Sequence, residues 1–464
     1  MRSLLLALAL GAMATSARAD GPDPGQAAFR AIYQDLVEID SSEATGSCTR
    51  AAAAMATRLR AAGYGDDDLK LIAPEGKPDD GNLVAVLRGT SPRHAVLLLA
   101  HIDVVNANRA DWVRDPFKLI EEDGFFYGRG SEDDKAMAAV FVDLMVRLKR
   151  EGFRPRRSLR LALTCGEETS NRVNGADYLL THHREWMQAD FAINEGAGGI
   201  LSESGAPLAL NVQAGEKIHQ VFTLTVTNPG GHSSRPSPEN AIYRLSAGLG
   251  RLAQFQFPVE LNPVTRTFME RMAPILGGDT GAAMAALARN PSDAAAATIV
   301  ARDLDLNAIM RTTCVATQVE AGHAPNALPQ RAVATLSCRV LQGHTADEIK
   351  ADLERAVADP RIAVVNSRPR AGSRAPELTR AIMAPVERAA ARMWPDTPIV
   401  PMMSAGATDG RFLNTAGIPT YGMSGMFAVP GENNAHGLNE KLRVRSLYEG
   451  RRFLEAIVRD YARQ

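Results

Sequence analysis

Ala95-Val96-Leu97-Leu98-Leu99-Ala100, followed at once by His101-Ile102-Asp103, is the stretch whose reading decides the fold. A strand with one wet face alternates apolar and polar residues. This run does not alternate, so it belongs to a strand covered on both faces, as in a parallel sheet between helical layers. Neighbouring segments keep the same rhythm. Helices are expected over about Gln26 to Ile39 and Thr49 to Ala62, a strand at Asn82 to Leu87, and a helix from Lys135 to Arg150 closed by Gly152. Further strands are expected at Leu159 to Thr164 and Ala189 to Ile193. Such alternation predicts an α/β domain with a mostly parallel central sheet.

Around Gln213 to Lys217 the character changes. Val221 to Val226 reads as a strand, a helix follows Pro238 up to about Leu252, and strands are expected at Thr312 to Val319 and Ala332 to Val340. A helix from about Thr345 to Ala358 and the strand Ile362 to Val365 complete a ferredoxin-like α+β order. Between its first helix and second strand lies an Ala-rich, helical-looking insertion, about Phe257 to Met310, with no readable chemistry. From about Pro376 the α/β pattern returns, with a helix through Trp394, apolar runs at Pro398 to Val400 and Ile418 to Tyr421, and a last helix from Ser446. The simplest organisation is a discontinuous catalytic domain, residues 20–215 and 369–464, carrying an inserted lid or dimerisation domain, residues 216–368.

The 464 residues contain 52 Lys and Arg against 53 Asp and Glu, a net charge of −1. That balance offers no broad basic face for nucleic acid or an anionic membrane, so function must reside in a local site. Residues 1–19 stand apart: Arg2, the apolar run Leu4 to Ala14, and Ala17-Arg18-Ala19 read as a secretory signal cleaved before Asp20. The run falls short of the roughly 18–20 apolar residues a membrane span needs. An exported, periplasmic protein with no membrane attachment after cleavage is expected. Four cysteines allow three pairings; Cys314 and Cys338 lie in strand-like runs and are candidate neighbours, leaving Cys48 with Cys165, while free buried thiols remain the other reading.

Three strand ends carry metal-ligand chemistry: His101 and Asp103 after Ala100, Glu167-Glu168 after Thr164, and Asn194-Glu195 after Ile193. One strand-end His or Glu is more often structural than functional. In an α/β sheet, however, sites gather at the carboxyl ends of strands, so three such ends point to one location. Asp133 joins them from Gly128-Arg129-Gly130-Ser131-Glu132-Asp133-Asp134, although Asp133 or Asp134 there also reads as a helix cap. Far downstream, Ala435-His436-Gly437 supplies a second imidazole. Two imidazoles and three carboxylates suit zinc, with cobalt or manganese as substitutes. Five side chains exceed the three of a single catalytic zinc and fit two ions sharing one carboxylate.

The ordered set His101 to Val105, Asp115-Pro116-Phe117, Gly128 to Lys135, Glu167-Glu168, Asn194-Glu195-Gly196, Gly230-Gly231-His232-Ser233-Ser234, Asn326-Ala327-Leu328-Pro329 and Ala435-His436-Gly437 resembles the co-catalytic dizinc family of glutamate carboxypeptidase, aminoacylase, acetylornithine deacetylase and succinyl-diaminopimelate desuccinylase. The resemblance covers nearly all of the chain after the signal. It implies that His101 and Glu195 hold one zinc, Glu168 and His436 the other, and that Asp133 bridges them. Glu167 is then the general base, Asp103 orients His101, and the Asp133-Asp134 peptide is cis. His232 is implied as an oxyanion donor, often across a dimer interface, so the resemblance allows a homodimer through the inserted domain, although the long insertion offers a way to block that surface. Asn326 and Arg339 are implied to bind the substrate's carboxylate, for which an Arg fork is suited, although a solvated strand residue is the plainer reading of Arg339. Asn106, Ala136 and His323 depart from the family pattern without removing a ligand or the base. Thr408 to Phe412 and the insertion resemble the longer branch of carboxypeptidases and N-acyl-amino-acid hydrolases.

Together these features imply zinc-dependent hydrolysis of an amide bond next to a free carboxylate, as a carboxypeptidase or dipeptidase, with an N-acyl-amino-acid amidohydrolase as the alternative. The substrate is a small peptide or an N-acyl amino acid. A non-catalytic periplasmic binding protein is the remote alternative; it would be expected to have lost Glu167 or a ligand, and none is missing. Gly422-Met423-Ser424-Gly425-Met426 fails the Gly-x-Ser-x-Gly spacing of a serine hydrolase, and no His-Glu-x-x-His occurs.

Overall fold

A computed structural model describes residues 25–464 apart from 170, 370, 371 and 373. The expected signal, residues 1–19, lies outside the described residues. Among them, no helix is long and apolar enough to cross a membrane.

Ser91–His101 lies at the centre of a ten-stranded sheet, parallel to Arg157–Thr164 on one side and to Phe191–Asn194 on the other. Thr420–Gly422 extends the parallel centre beyond Phe191–Asn194; the margin at Leu69–Ile72 and Asn82–Leu87 is antiparallel, whereas the other margin mixes antiparallel and parallel pairs. The unbroken apolar run is explained by what covers it. Leu98 and Ala100 pack with Leu161, Ile193 and the helices Gln26–Glu38, Cys48–Ala61, Lys135–Arg150 and Val444–Arg463 on one face. Leu97 and Leu99 pack with Ala162, Ala192 and the helix Gly175–His182 on the other.

The chain leaves this sheet through Pro207–Glu216 and enters a second one at Ile218–Thr227, with only Lys217 between the two strands. The second sheet is antiparallel, with strand order Thr313–Ala321, Arg331–Val340, Ile218–Thr227, Ala363–Asn366, and the helices Ala241–Gln254 and Ala346–Val357 pack on it. This is the ferredoxin-like order. The buried Lys217 amine donates to the carbonyls of Ala308 and Arg311 at 2.6 and 2.7 Å, which ties the crossing point to the end of the insertion.

The insertion forms the helices Pro263–Leu276, Gly278–Arg289, Ala294–Val300 and Leu304–Met310. They make their own apolar core, which closes against Ala209 and Val400 of the central sheet. Both cysteine pairs are disulfides. Cys314–Cys338 joins directly opposed residues of neighbouring lid strands. Cys48–Cys165 links residues 117 apart and anchors the chain just before Gly166-Glu167-Glu168. Closing a loop of that length removes unfolded-state freedom worth about 4–5 kcal/mol in the chain-entropy account.

Candidate metal centre

Adjacent parallel strands end at one edge of the sheet. His101 pairs in register with Thr164, so the loop carrying Glu167 and Glu168 leaves beside it; Glu195 follows Asn194 on the next strand. Gly166 makes the turn into the loop with φ +84°, and a Cβ there would meet the Val173 carbonyl at 2.5 Å. Only glycine suits that position.

Two ligand sets form. His101 Nε2 lies 2.9 Å from Asp133 Oδ1 and 3.7 Å from Glu195 Oε1. His436 Nε2 lies 3.1 Å from Asp133 Oδ2 and 2.9 Å from Glu168 Oε2. Asp133 thus gives one oxygen to each set, and within each set the donor atoms lie within 4.8 Å of one another. Among the described residues, Glu168 Oε1 is buried without a hydrogen-bond partner. Nitrogen and carboxylate donors sharing one carboxylate fit two divalent cations. A third cluster, Cys48 with Asp103 and Cys165, offers no thiolate because its cysteines are bonded to each other.

The electrostatics point the same way. Hydrogen bonds to Asp133 and Glu168 push the His436 imidazole up to about 10. Burial works against charging His101, yet Glu195, Asp103 and Asp133 hold it well above the usual imidazole value. Burial raises Glu195 well above the carboxylate range, with Asp133 and Asp134 adding to it. Burial, then Asp409 and Glu168, push Glu167 up to about 8 against the pull of His101. So many buried carboxylates require nearby positive charge, which here falls to the two imidazoles.

The Asp133-Asp134 peptide is cis. Asp134 occupies the N-cap position of Lys135–Arg150 but its side chain makes no capping bond, so the helix-cap reading does not describe this pair. Asp103 sits beside His101, with a difference from the expected arrangement. His101 Nδ1 bonds the Asp103 main-chain carbonyl at 3.1 Å, while the nearer Asp103 carboxylate oxygen lies 3.7 Å away. That carboxylate instead accepts the backbone N–H groups of Glu167 at 3.3 Å and Glu168 at 3.0 Å. It therefore fixes the loop as well as the histidine.

Four functional candidates escaped the sequence reading. Buried Glu440 accepts the backbone N–H groups of Gly130, Glu132 and Asp133, and pairs with Arg129 at 2.7 Å. Arg129 in turn donates to the carbonyls of His436 and Gly437. The two residues join the loops of the bridging aspartate and the distal histidine. Buried Asp409 accepts from Thr164 Oγ1 at 2.7 Å and Asn174 Nδ2 at 2.6 Å, behind the Glu167 loop. Arg411 lies close enough to the half-buried Arg339 for each to feel the other's charge, and Arg339 also feels Glu167. Sequence signals existed: Arg129 lies in the Gly-Arg-Gly turn, Glu440 four residues after His436, and both Asp409 and Arg411 in Thr408 to Phe412.

His232 and Asn326 are neighbours on the lid, where the pair of short strands Gly231–His232 and Ala327–Leu328 sets His232 opposite Ala327. Both are exposed, and His232 Nδ1 accepts from Ser234 Oγ at 2.7 Å. Neither belongs to the two ligand sets. Two cavities flank the centre. One of about 840 Å³, lined partly by Lys217, His219, Arg368 and Arg411, begins at Gly166 between sheet and lid. The other, about 740 Å³, is bordered by Asp133 and Glu195 themselves.

The profile of Peptidase family M20/M25/M40 matches residues 97–460. The chain belongs to this family. N-fatty-acyl-amino acid synthase/hydrolase PM20D1 of Bos taurus is 30% identical over 376 residues, which cover 78% of this chain and 73% of that protein. The same-named protein of Xenopus tropicalis is 29% identical over 358 residues, 75% of this chain and 68% of the relative. Among solved structures, an M20 family metallo-carboxypeptidase from Sulfolobus solfataricus shares the fold with a TM-score of 0.70 at 19% identity, over 94% of this chain and 99% of the other. This M20 protein is a metal-dependent hydrolase of amide bonds, built for a dinuclear metal centre.

Proposed function

We propose that the chain is an exported dizinc amidohydrolase whose substrates are N-acyl amino acids. The observation that carries the reading is the sharing of Asp133 between the sets His101–Glu195 and Glu168–His436. With two divalent ions bound, the chemistry they supply is Lewis acidity toward the amide carbonyl and toward water. Glu167 belongs to neither set yet lies within electrostatic reach of His101 and Glu195, which suits a base that takes a proton from water and hands it to the leaving amine. Arg339 from the lid and Arg411 from the catalytic domain give the substrate carboxylate two guanidinium partners on the Glu167 side. A second copy joined through the lid would supply the exposed His232; the outward Val315 and Val319 of the edge strand Thr313–Ala321 support that arrangement. Both disulfides suit an oxidising compartment and so support export.

The names of the relatives favour the acyl substrate over a peptide's C-terminal bond, which belongs to the same reaction class. The test is a hydrolysis screen of zinc-loaded enzyme on N-acyl amino acids, dipeptides and amides lacking a carboxylate, with zinc per chain measured beforehand. The expected result is about two zinc ions and fastest turnover of N-acyl amino acids. Cleavage of dipeptides alone would refute the substrate assignment. Equal cleavage of amides lacking a carboxylate would remove the roles given to Arg339 and Arg411.

A further inference from the structure

The two cavities beside the metal centre differ in character. The larger is rimmed by cations, whereas the one bordered by Asp133 and Glu195 runs along Met137, Ile200, Met402, Met426 and Val429. Its volume of about 740 Å³ far exceeds what an acetyl group fills and lies in the range of sites that enclose whole small ligands. Methionines suit an unbranched chain of varying length because they are flexible and polarisable. Glu132, Asp134, Ser424, Asn433 and Asn434 add polar groups to its lining, and Asn211 has a buried side-chain oxygen there with no hydrogen-bond partner among the described residues.

Two of the apolar lining residues have a second contact. Ile200, on Gly199–Leu201, and Met402, on Ile399–Ser404, are half-buried and also pack against the core of the helical insertion. That core contains Phe268, Met269 and Met272 from Pro263–Leu276, together with Val400 from the same strand as Met402. The insertion therefore stands behind one wall of the cleft without lining it.

We propose that this cleft takes the acyl chain of the substrate, and that the insertion is a positioning element that holds the Ile200–Met402 wall in place. The inference rests on the N-acyl-amino-acid reading. It assigns the chain to the Asp133–Glu195 side, opposite the cationic cavity, and so gives the insertion a part in selecting chain length.

The experiment measures kcat/KM of zinc-loaded full-length protein on N-acetyl, N-hexanoyl and N-decanoyl forms of one amino acid. Each buried methylene is worth about a fourfold gain, so kcat/KM should climb steeply with chain length until the cleft is full. Ile200→Trp and Val429→Trp, which fill the cleft from two neighbouring paired segments, should each lower the decanoyl-to-acetyl ratio by at least about tenfold, the loss of two buried methylenes. Met269→Ala acts from inside the insertion; a purely structural defect would slow all three substrates alike, whereas a displaced wall lowers the ratio. Thermal unfolding of each variant identifies any that has not folded. A wild-type series without a chain-length gain, or a gain that survives in every folded Trp variant, overturns the cleft assignment while leaving the N-acyl reading intact. A ratio unmoved in Met269→Ala removes the role of the insertion. Failure to cleave any N-acyl amino acid while dipeptides are cleaved overturns both.

Discussion

Replacing Glu440 with Ala would leave the Arg129 guanidinium buried without its partner and strip the acceptor from three backbone N–H groups. Both side chains are almost fully buried, at 3% and 1% exposure, so solvent does little to screen the loss. Breaking a buried pair of this kind costs about 3–5 kcal/mol. The geometry predicts a second effect that stability alone would not produce. Glu440 holds the backbone of Asp133, and through Arg129 it holds the carbonyls of His436 and Gly437. The ion position of Asp133, Glu168 and His436 should therefore weaken by about 10–100-fold, the usual effect of removing a group that orients ligands, and weaken more than the position built on His101. Glu440→Gln keeps the shape and one acceptor oxygen and should lose less on both counts. Urea unfolding of the metal-free protein reads the first effect, and competition of zinc against a chelating dye reads the second. Unchanged binding of both ions in a folded, destabilised Glu440→Ala protein would refute the clamp and leave an ordinary buried ion pair.

Burial pushes Glu216 up from its ordinary 4.5 to about 7, so between those values the folded chain keeps a proton that the unfolded chain has lost; its stabilising contribution, about 3 kcal/mol, is complete below pH 4.5 and gone above pH 7. Glu216→Gln keeps an acceptor for the Thr408 N–H and should remove that fall, which urea midpoints at pH 5 and 7.5 would show; an unaltered slope contradicts the assignment. Glu167→Gln should keep both zinc ions, since Glu167 lies in neither ligand set, and lower kcat by about 10²–10⁴-fold; near-normal turnover would remove it as the base.

The centre of the fold was legible because Ala95 to Ala100 is buried from both sides, and burial on two faces leaves an unambiguous composition. The helix Lys135–Arg150 was likewise bounded in the sequence, between an acidic turn and Gly152. Pro207–Glu216 was not read as a strand. The change of character around Gln213 to Lys217 marks its end, but it passes into Ile218–Thr227 with a single residue between, so the stretch itself does not read as a separate strand. The insertion read as helical, but its contact with Ile200 and Met402 depends on packing between segments far apart in the chain.

Three of the ligands, His101, Glu168 and Glu195, were legible for a related reason: they sit at or just beyond the ends of strands, where sequence order and spatial convergence coincide. What supports them was not. Glu440 meets Gly130 from 310 residues away, and no spacing rule anticipates that meeting. The adjacent carboxylates show why such support matters. Glu167 and Glu168 repel each other, with Glu195 within electrostatic reach of the first and Asp133 in the same ligand set as the second, yet the proposed chemistry needs one held as a ligand and the other left to move a proton. Asp103 separates these tasks through the backbone: its two oxygens take the two successive N–H groups, so the loop is fixed before either side chain finds a partner. Glu168 is then committed to His436 at 2.9 Å, and Glu167, relieved of any ligand duty, is the carboxylate whose proton affinity burial, Asp409 and Glu168 raise to about 8. The division of labour is thus set by a third carboxylate, on the neighbouring strand end, rather than by the Glu-Glu pair itself.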